Sequence, residues 1–274
     1  MTRDNEAKLD NRNNLQDLLR LVVCSDLRKN LLITLNKGVQ SLGSLRDGLN
    51  ISSTTALHAL KELEKSSLVF KDRDKNYALT NIGRITALKL LDFSDTIEVL
   101  YKHERFWLEH DLSGIPQHIM MKIGLLKNST LVENTSTDIF KVHRTFLDLL
   151  KNAKEIRGVS PFFIPEFVSL FKELIIENNT DIHLILTNEV YGKLDKEFLE
   201  KICSDNNYKF KLNIIKQNVN IGFTVTDYFL SVGFYLNDGT YDFSKDLICY
   251  DKEARDWGLE LFDYYIKLSD KVTF

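Results

Sequence analysis

The sequence predicts two unlike folding units: a small α+β unit, then a helical linker, then a larger α/β unit. Three observations predict this. The first half passes through several helical periodicities and ends in two short strands around a charged loop. The second half alternates helical segments with strand-like runs, the signature of an α/β layer structure. Between them, Ser113-Gly114-Ile115-Pro116 is the clearest break in the chain. At 274 residues there is length for two modest domains, each with its own core. The expected boundaries are 14–90, 91–115 and 116–274.

Residues 1–13 are polar and expected to fray. Leu15, Leu18, Leu19, Val22 and Val23 then recur at helical spacing, predicting a helix over about 14–24 with Cys24 in the core. Ser25-Asp26 caps a second helix whose stripe is Leu27, Leu31, Leu32 and Leu35, and Gly38 ends it. Ser41 opens a short helix through Leu42, Leu45 and Leu49. Ser52 caps a longer one that keeps Ala56, Leu60 and Leu63 on one side. Leu68-Val69-Phe70 and Tyr77-Ala78-Leu79, around the polar turn 71–76, predict a hairpin. Thr80 caps a helix expected to turn Ile82, Ile85, Leu88 and Leu91 inward. Ser94 is read as a new cap, before a helix carrying Ile97, Leu100, Tyr101 and Leu108.

Beyond Pro116, helices are expected near 116–126, 136–153, 165–178, 188–206 and 252–268. Strands are expected at Ile156–Phe163, Ile182–Thr187, Phe210–Lys216 and Ile221–Tyr235, the last folding back as a hairpin at Thr226-Asp227.

Composition excludes several classes. Hydrophobic residues at 43% and charged residues at 27% are ordinary globular values. No apolar run approaches the roughly 18 residues that span a bilayer, and the N-terminus lacks the apolar stretch of a secretion signal. Cys24, Cys203 and Cys249 form neither a disulfide framework nor a zinc cluster. A cytoplasmic protein without membrane contact is expected. Net charge is −3, yet residues 26–89 hold eleven Lys and Arg against six Asp and Glu. Such asymmetry fits a nucleic-acid-binding segment attached to an acidic domain.

Helix, short helix, turn, helix and hairpin make the winged helix-turn-helix plan. On the third helix Thr54, His58, Lys61 and Lys65 share one face, opposite the apolar residues. With Ser53 and Thr55 they offer short polar groups at the N-terminus and cations farther along, as a helix in the major groove of double-stranded DNA requires. Arg73 and Lys75 at the hairpin tip suit phosphate or the minor groove, against which Asp72 and Asp74 count.

Residues 26–83, including Tyr77-Ala78-Leu79-Thr80-Asn81-Ile82-Gly83, resemble the winged-helix domain of ArsR-type and related archaeal transcription regulators. The segment Phe106-Trp107-Leu108-Glu109-His110-Asp111-Leu112-Ser113-Gly114-Ile115-Pro116 and the C-terminal half resemble the methanogenesis regulatory protein family of methanogenic archaea. The resemblance implies a homodimeric DNA-binding regulator with an α/β domain that senses an unidentified small-molecule effector. Two departures stand out: Ala59 where a histidine is common, and Ser67 where a glycine usually turns into the wing. The linker helices over 81–110 are the expected pairing surface. The alternative is a protein-interaction module whose winged helix docks a protein partner.

The second half also resembles the phospholipase-D-like layout, expected here without catalysis. That chemistry needs His-x-Lys, and none of His58, His103, His110, His118, His143 and His183 has a lysine two positions later. No glycine-rich phosphate loop is present. His103, Glu104, Glu109 and His110 make a poor zinc signature and read instead as a charged exposed face. The chain is therefore expected to be no enzyme, with neither cofactor nor metal. The effector pocket is expected where strand ends meet loops, at Arg157, Ser160, Thr187, Asn188, Thr226, Asp227 and Tyr235. Taken singly, Thr187 and Asp227 read more simply as caps.

Overall fold

A computed structural model describes residues 16–205 and 207–273. The chain divides into two compact units between Ser94 and Asp95. Residues 1–13 and Leu15, read above as a frayed end and a helix start, lie outside the described residues.

The first unit grows from well-capped helices. Helix α1 is described over 16–23, followed by α2 (Asp26–Asn36), α3 (Leu42–Leu49) and α4 (Ser53–Lys65). The hydroxyls of Ser25, Ser41 and Ser52 accept from the backbone N–H three residues on, satisfying donors that a helix start leaves unpaired. The inward stripes then meet: Leu31, Leu32, Leu45, Leu60 and Leu63 are fully buried together. Each such leucine contributes about 1.5–3 kcal/mol. Strands β1 (Val69–Lys71) and β2 (Tyr77–Leu79) close the unit as a hairpin, with Phe70 opposite Ala78. Cys24 is exposed rather than part of this core, to which α1 contributes Val22.

Helix α5 (Asn81–Lys102) differs from expectation in two ways. It does not restart at Ser94, whose hydroxyl bonds back to the Leu90 carbonyl at 2.7 Å and so leaves the helix intact. Its inward residues are Gly83, Ala87 and Leu90, whereas Ile82, Ile85 and Leu88 are 58%, 65% and 48% exposed and Leu91 is half-buried. The cause lies at Gly83. A Cβ there would stand 1.8 Å from the Leu68 carbonyl oxygen, so only glycine can face the hairpin and its larger neighbours turn outward.

The second unit is a mixed sheet between two helical layers. Its strands are β3 (His110–Asp111), β4 (Thr130–Glu133), β5 (Glu155–Ser160), β6 (Asp181–Thr187), β7 (Phe210–Ile215), β8 (Ile221–Thr226), β9 (Leu230–Leu236), β10 (Lys245–Cys249) and β11 (Asp270–Lys271). They run in the order β11-β7-β6-β5-β8-β9-β10-β4, with β3 beside β9. Strands β5, β6 and β7 are parallel, while β8 is antiparallel to β5 and to β9. The run Ile221–Tyr235 is thus a hairpin, as its Thr226-Asp227 turn suggested, but β3, β4, β10 and β11 were not legible in the sequence.

One face of this sheet packs against α12 (Lys252–Lys267), α6 (Glu104–Glu109), the short α7 (Gln117–Met120) and a 3-10 turn over Ile123–Leu126. The stretch 91–115, expected as a linker, supplies Val99, Phe106, Trp107 and Ile115 to this core, because these large apolar groups have a sheet face to cover. Leu100, Tyr101, Leu108 and Ile97 remain exposed instead. The opposite face meets α8 (Lys141–Leu150), α9 (Pro165–Ile176), α10 (Asn188–Gly192) and α11 (Lys196–Ser204). Asp195 caps α11 by accepting from Phe198 N at 3.1 Å, which splits the helix expected over 188–206 into two.

Candidate functional site

In the first unit α4 separates its two faces cleanly. Ala56, Ala59, Leu60 and Leu63 are buried, whereas Ser53, Thr54, Thr55, His58, Lys61 and Lys65 are all exposed. Ser52 Oγ accepts from Thr55 N at 3.1 Å and lies 2.7 Å from Thr55 Oγ1, so the helix start is ordered by its own side chains. Glu62 pairs with Arg28 at 2.7 Å and lies 3.9 Å from His58 Nδ1 on the polar face, while Lys61 and Lys65 have no ion pair among the described residues.

The hairpin tip exposes Arg73 and Lys75. Asp72, which counted against this tip, turns inward: its Oδ1 accepts from Asp74 N at 2.9 Å and from Asn76 N at 2.8 Å. Ser67 stands at φ 57°, the left-handed conformation a glycine adopts without strain. The departure noted at this position therefore changes the residue while the turn is kept.

In the second unit a cavity of about 520 Å³ opens between the sheet and the α8–α11 layer. The residues bordering it explain why it is hollow. Strands β5, β8 and β9 put Gly158, Gly222, Gly233, Thr224 and Ser231 on this face, with Gly158 opposite Thr224 and Thr224 opposite Ser231. Small residues in mid-strand leave room that Val or Ile would fill. Part of that room is taken by Tyr241, whose hydroxyl lies where the Cβ of Gly233 would stand. The walls are aromatic: Phe162, Tyr241 and Phe243 pack with ring centroids 4.4–5.0 Å apart, and His143 stacks on Phe167 at 5.1 Å.

Two acids, Asp242 and Asp246, border this floor. Burial pushes Asp246 up to about 7, against hydrogen bonds from Ser231 and from the Leu247 and Val232 amides. Ser231 Oγ donates to its Oδ2 at 2.7 Å. Asp242 behaves oppositely: burial raises it, but hydrogen bonds from His110 and Ser244 prevail and hold it at about 2. Burial also raises the Tyr241 phenol and pushes Cys249 up to about 12, so that thiol is inert.

The seven expected pocket residues are not brought together. Because β8 is antiparallel to β5, Thr226 lies opposite Ile156, at the other end of the sheet from Ser160. Ser160 borders the large cavity, whereas Arg157, Thr226 and Asp227 border a separate depression of about 320 Å³. Thr187, Asn188 and Tyr235 border neither. Several have local duties instead. Thr187 caps α10, Asp227 accepts from Lys154 N at 2.9 Å, and Thr226 Oγ1 accepts from Phe229 N at 3.0 Å. Two available signals mark the large cavity: the small residues Gly222, Thr224, Ser231 and Gly233 alternating with large apolar ones in 221–234, and six phenylalanines within 140–171.

The histidines read as an exposed charged face are buried and partnered. His103 Nε2 lies 3.0 Å from Ser129 Oγ, and His110 Nε2 lies 3.1 Å from Asp242 Oδ2. Burial lowers the His103 pKa. Among the described residues no group of acids, histidines and cysteines could hold a metal ion, and no helix is long and apolar enough to cross a membrane.

Two family models match in succession: methanogenesis regulatory protein FilR1, N-terminal domain, over 16–98, and its middle domain over 139–268. The curated methanogenesis regulatory protein FilR1 of Methanothrix harundinacea (strain 6Ac) is 28% identical over 264 residues, covering 93% of this chain. The chain spans 58% of the length of that relative. Among solved structures, the archaeal chromatin protein TrmBL2 aligns with a TM-score of 0.43 at 13% identity, over 93% of this chain and 98% of its own. Nuc, a phospholipase D family member from Salmonella typhimurium, aligns with a TM-score of 0.39 at 10% identity, over 54% and 99%. The transcriptional repressor BigR from Xylella fastidiosa aligns with a TM-score of 0.26 at 27% identity, over 32% and 86%.

Proposed function

The chain carries, in order, the N-terminal and middle domains described for the methanogenesis regulatory protein FilR1 family, and from that premise we propose that it is a DNA-binding transcriptional regulator. It acts as a homodimer, and its second unit binds a small molecule that alters DNA affinity. The observation carrying this reading is α4. Its capped N-terminus presents Ser53, Thr54 and Thr55 to base edges, and His58, Lys61 and Lys65 follow toward phosphates. Arg73 and Lys75 reach the backbone beside it.

Dimerisation follows from what one winged helix can read. A single recognition helix covers too few base pairs, and two half-sites about one helical turn apart supply the remainder. The exposed Ile82, Ile85, Leu88 and Phe93 of α5 support this segment as the pairing surface, since such apolar groups gain by leaving water. The cavity supports the sensor role, being a largely apolar hollow with a few polar groups at its floor.

The test is binding to duplex DNA across a salt series. A regulator neutralising phosphates loses affinity steeply as salt rises, because counterions are released on binding. Lys61→Ala is expected to weaken binding to specific and random duplexes alike, whereas Thr54→Ala costs about 1–3 kcal/mol of discrimination at one base pair. A salt-independent or absent interaction overturns the DNA reading and favours a protein partner on this face. A monomer in sedimentation removes the dimer.

A further inference from the structure

Of the polar groups bordering the cavity of the second unit, His143 and Glu166 stand on the helical roof, and most of the others have duties elsewhere. Asn134 is spent on Val142 N and the Phe243 carbonyl, and Asp242 on His110 and Ser244. Lys245 is held by Glu109 at 2.6 Å and Lys172 faces Asp195 at 3.5 Å. Ser160 donates to the Phe162 carbonyl. What remains at the sheet floor is Asp246, with the hydroxyls of Thr224 and Tyr241, neither of which has a hydrogen-bond partner among the described residues.

These three are oxygen groups able to accept, one of them acidic; the two lysines bordering the cavity are both paired with acids, and His143 on the roof is stacked on Phe167. Asp246 is 7% exposed and already takes one hydroxyl donor, from Ser231. A buried carboxylate in apolar surroundings gains most from a countercharge that also donates hydrogen bonds. Phe162, Tyr241 and Phe243 add ring faces that attract a cation.

Building on the sensor reading above, we propose that this cavity takes a primary amine with an apolar, ring-sized body, its ammonium seated on Asp246. The three N–H groups of an ammonium match Asp246, Thr224 and Tyr241 as acceptors. The body lies against Phe146, Phe167 and Phe171 under the helical roof. A ligand carboxylate would bring a second negative charge to Asp246 with no unpaired lysine or arginine bordering the cavity to offset it. A neutral alcohol gives up both the charge and two of the three donors.

The experiment uses the full chain and three probes of one shape, followed by calorimetry and thermal shift: 2-phenylethylamine, 2-phenylethanol and 3-phenylpropanoate. The amine is expected to bind saturably and raise the melting temperature, with the alcohol at least about tenfold weaker and the carboxylate not binding. Asp246→Asn, close in shape, is expected to weaken the amine at least about tenfold and leave the alcohol unchanged. Because the three-probe comparison on the unaltered chain needs no variant, it decides the matter even where Asp246→Asn fails to fold. Equal or tighter binding of alcohol or carboxylate overturns the amine assignment while the cavity stays a sensor site. Absence of binding by all three overturns the proposal outright. Affinity for a duplex is then measured with and without the amine. Amine binding that depends on Asp246 but leaves DNA affinity unmoved upholds the amine site and defeats the sensor reading.

Discussion

The two faces of the large sheet are built by the same strands and could hardly differ more. In β8, Ile221, Phe223 and Val225 point one way into a filled core, while Gly222, Thr224 and Thr226 point the other way. In β9, Leu230, Val232 and Phe234 alternate likewise with Ser231 and Gly233. The first face meets Trp257, Leu261 and Phe262 of α12 and is packed solid. The second meets a ring of phenylalanines across a hollow. The strand period of two lets one segment carry stability on one side and a site on the other. Each job is assigned to alternate residues.

The largest expected effect comes from the packed face. Trp257 is 1% exposed, with its Nε1 donating to the Ile119 carbonyl at 3.0 Å. Trp257→Ala is expected to cost about 3–5 kcal/mol in chemical denaturation, since both the ring and a buried acceptor's partner go. A loss under about 1 kcal/mol would mean this side is as loosely filled as the other.

On the cavity face the polar floor should matter more than volume. Ser231→Ala removes the hydroxyl that donates to Asp246 and is expected to destabilise by about 1–3 kcal/mol. The acid itself gives a pH signature. Folded Asp246 titrates at about 7, well above an unfolded aspartate near ~3.9, so between those values the folded state holds a proton that the unfolded chain has lost. Its stabilising contribution is full below pH ~4 and is lost as pH rises through about 7. Asp242 runs the other way, its contribution present above ~4 and lost as pH falls through about 2. Unfolding free energies from pH 4.5 to 7.5 should therefore fall more steeply for the unaltered chain than for Asp246→Asn. Parallel curves would place Asp246 in contact with water.

The smallest effect sharpens the contrast. Thr224 offers its hydroxyl to the cavity and to no described residue, so Thr224→Val should change stability by no more than about 0.5 kcal/mol. A change of about 2 kcal/mol would mean that this hydroxyl satisfies a buried group and that the floor is structural.

The candidate DNA face was largely legible because its determinants are local. Ser52 caps α4 three residues away, and the polar stripe from Thr54 to Lys65 follows from helical periodicity within thirteen residues. The duty of Asp72 in the turn was not legible, because it depends on loop geometry: its carboxylate accepts from the turn's own N–H groups. The acid Asp246 at the cavity floor was illegible for a different reason. Strand β10 contains Asp246 in a run of five, and an acid at an inward position breaks the alternation by which a strand is recognised.

By itself the sequence determined the order of the helices and hairpin of the first unit, their serine caps, and which side of most helices and strands is apolar, since these depend on residues within a few positions of one another. Only the tertiary structure decided which strand ends share an edge and which apolar stripe faces a partner. The antiparallel course of β8 beside β5 sent Thr226 and Asp227 away from Ser160, and the contact of Gly83 with Leu68 turned Ile82 and Ile85 outward. Strand direction and helix rotation are set by packing between residues distant along the chain, where a single close approach outweighs local preference.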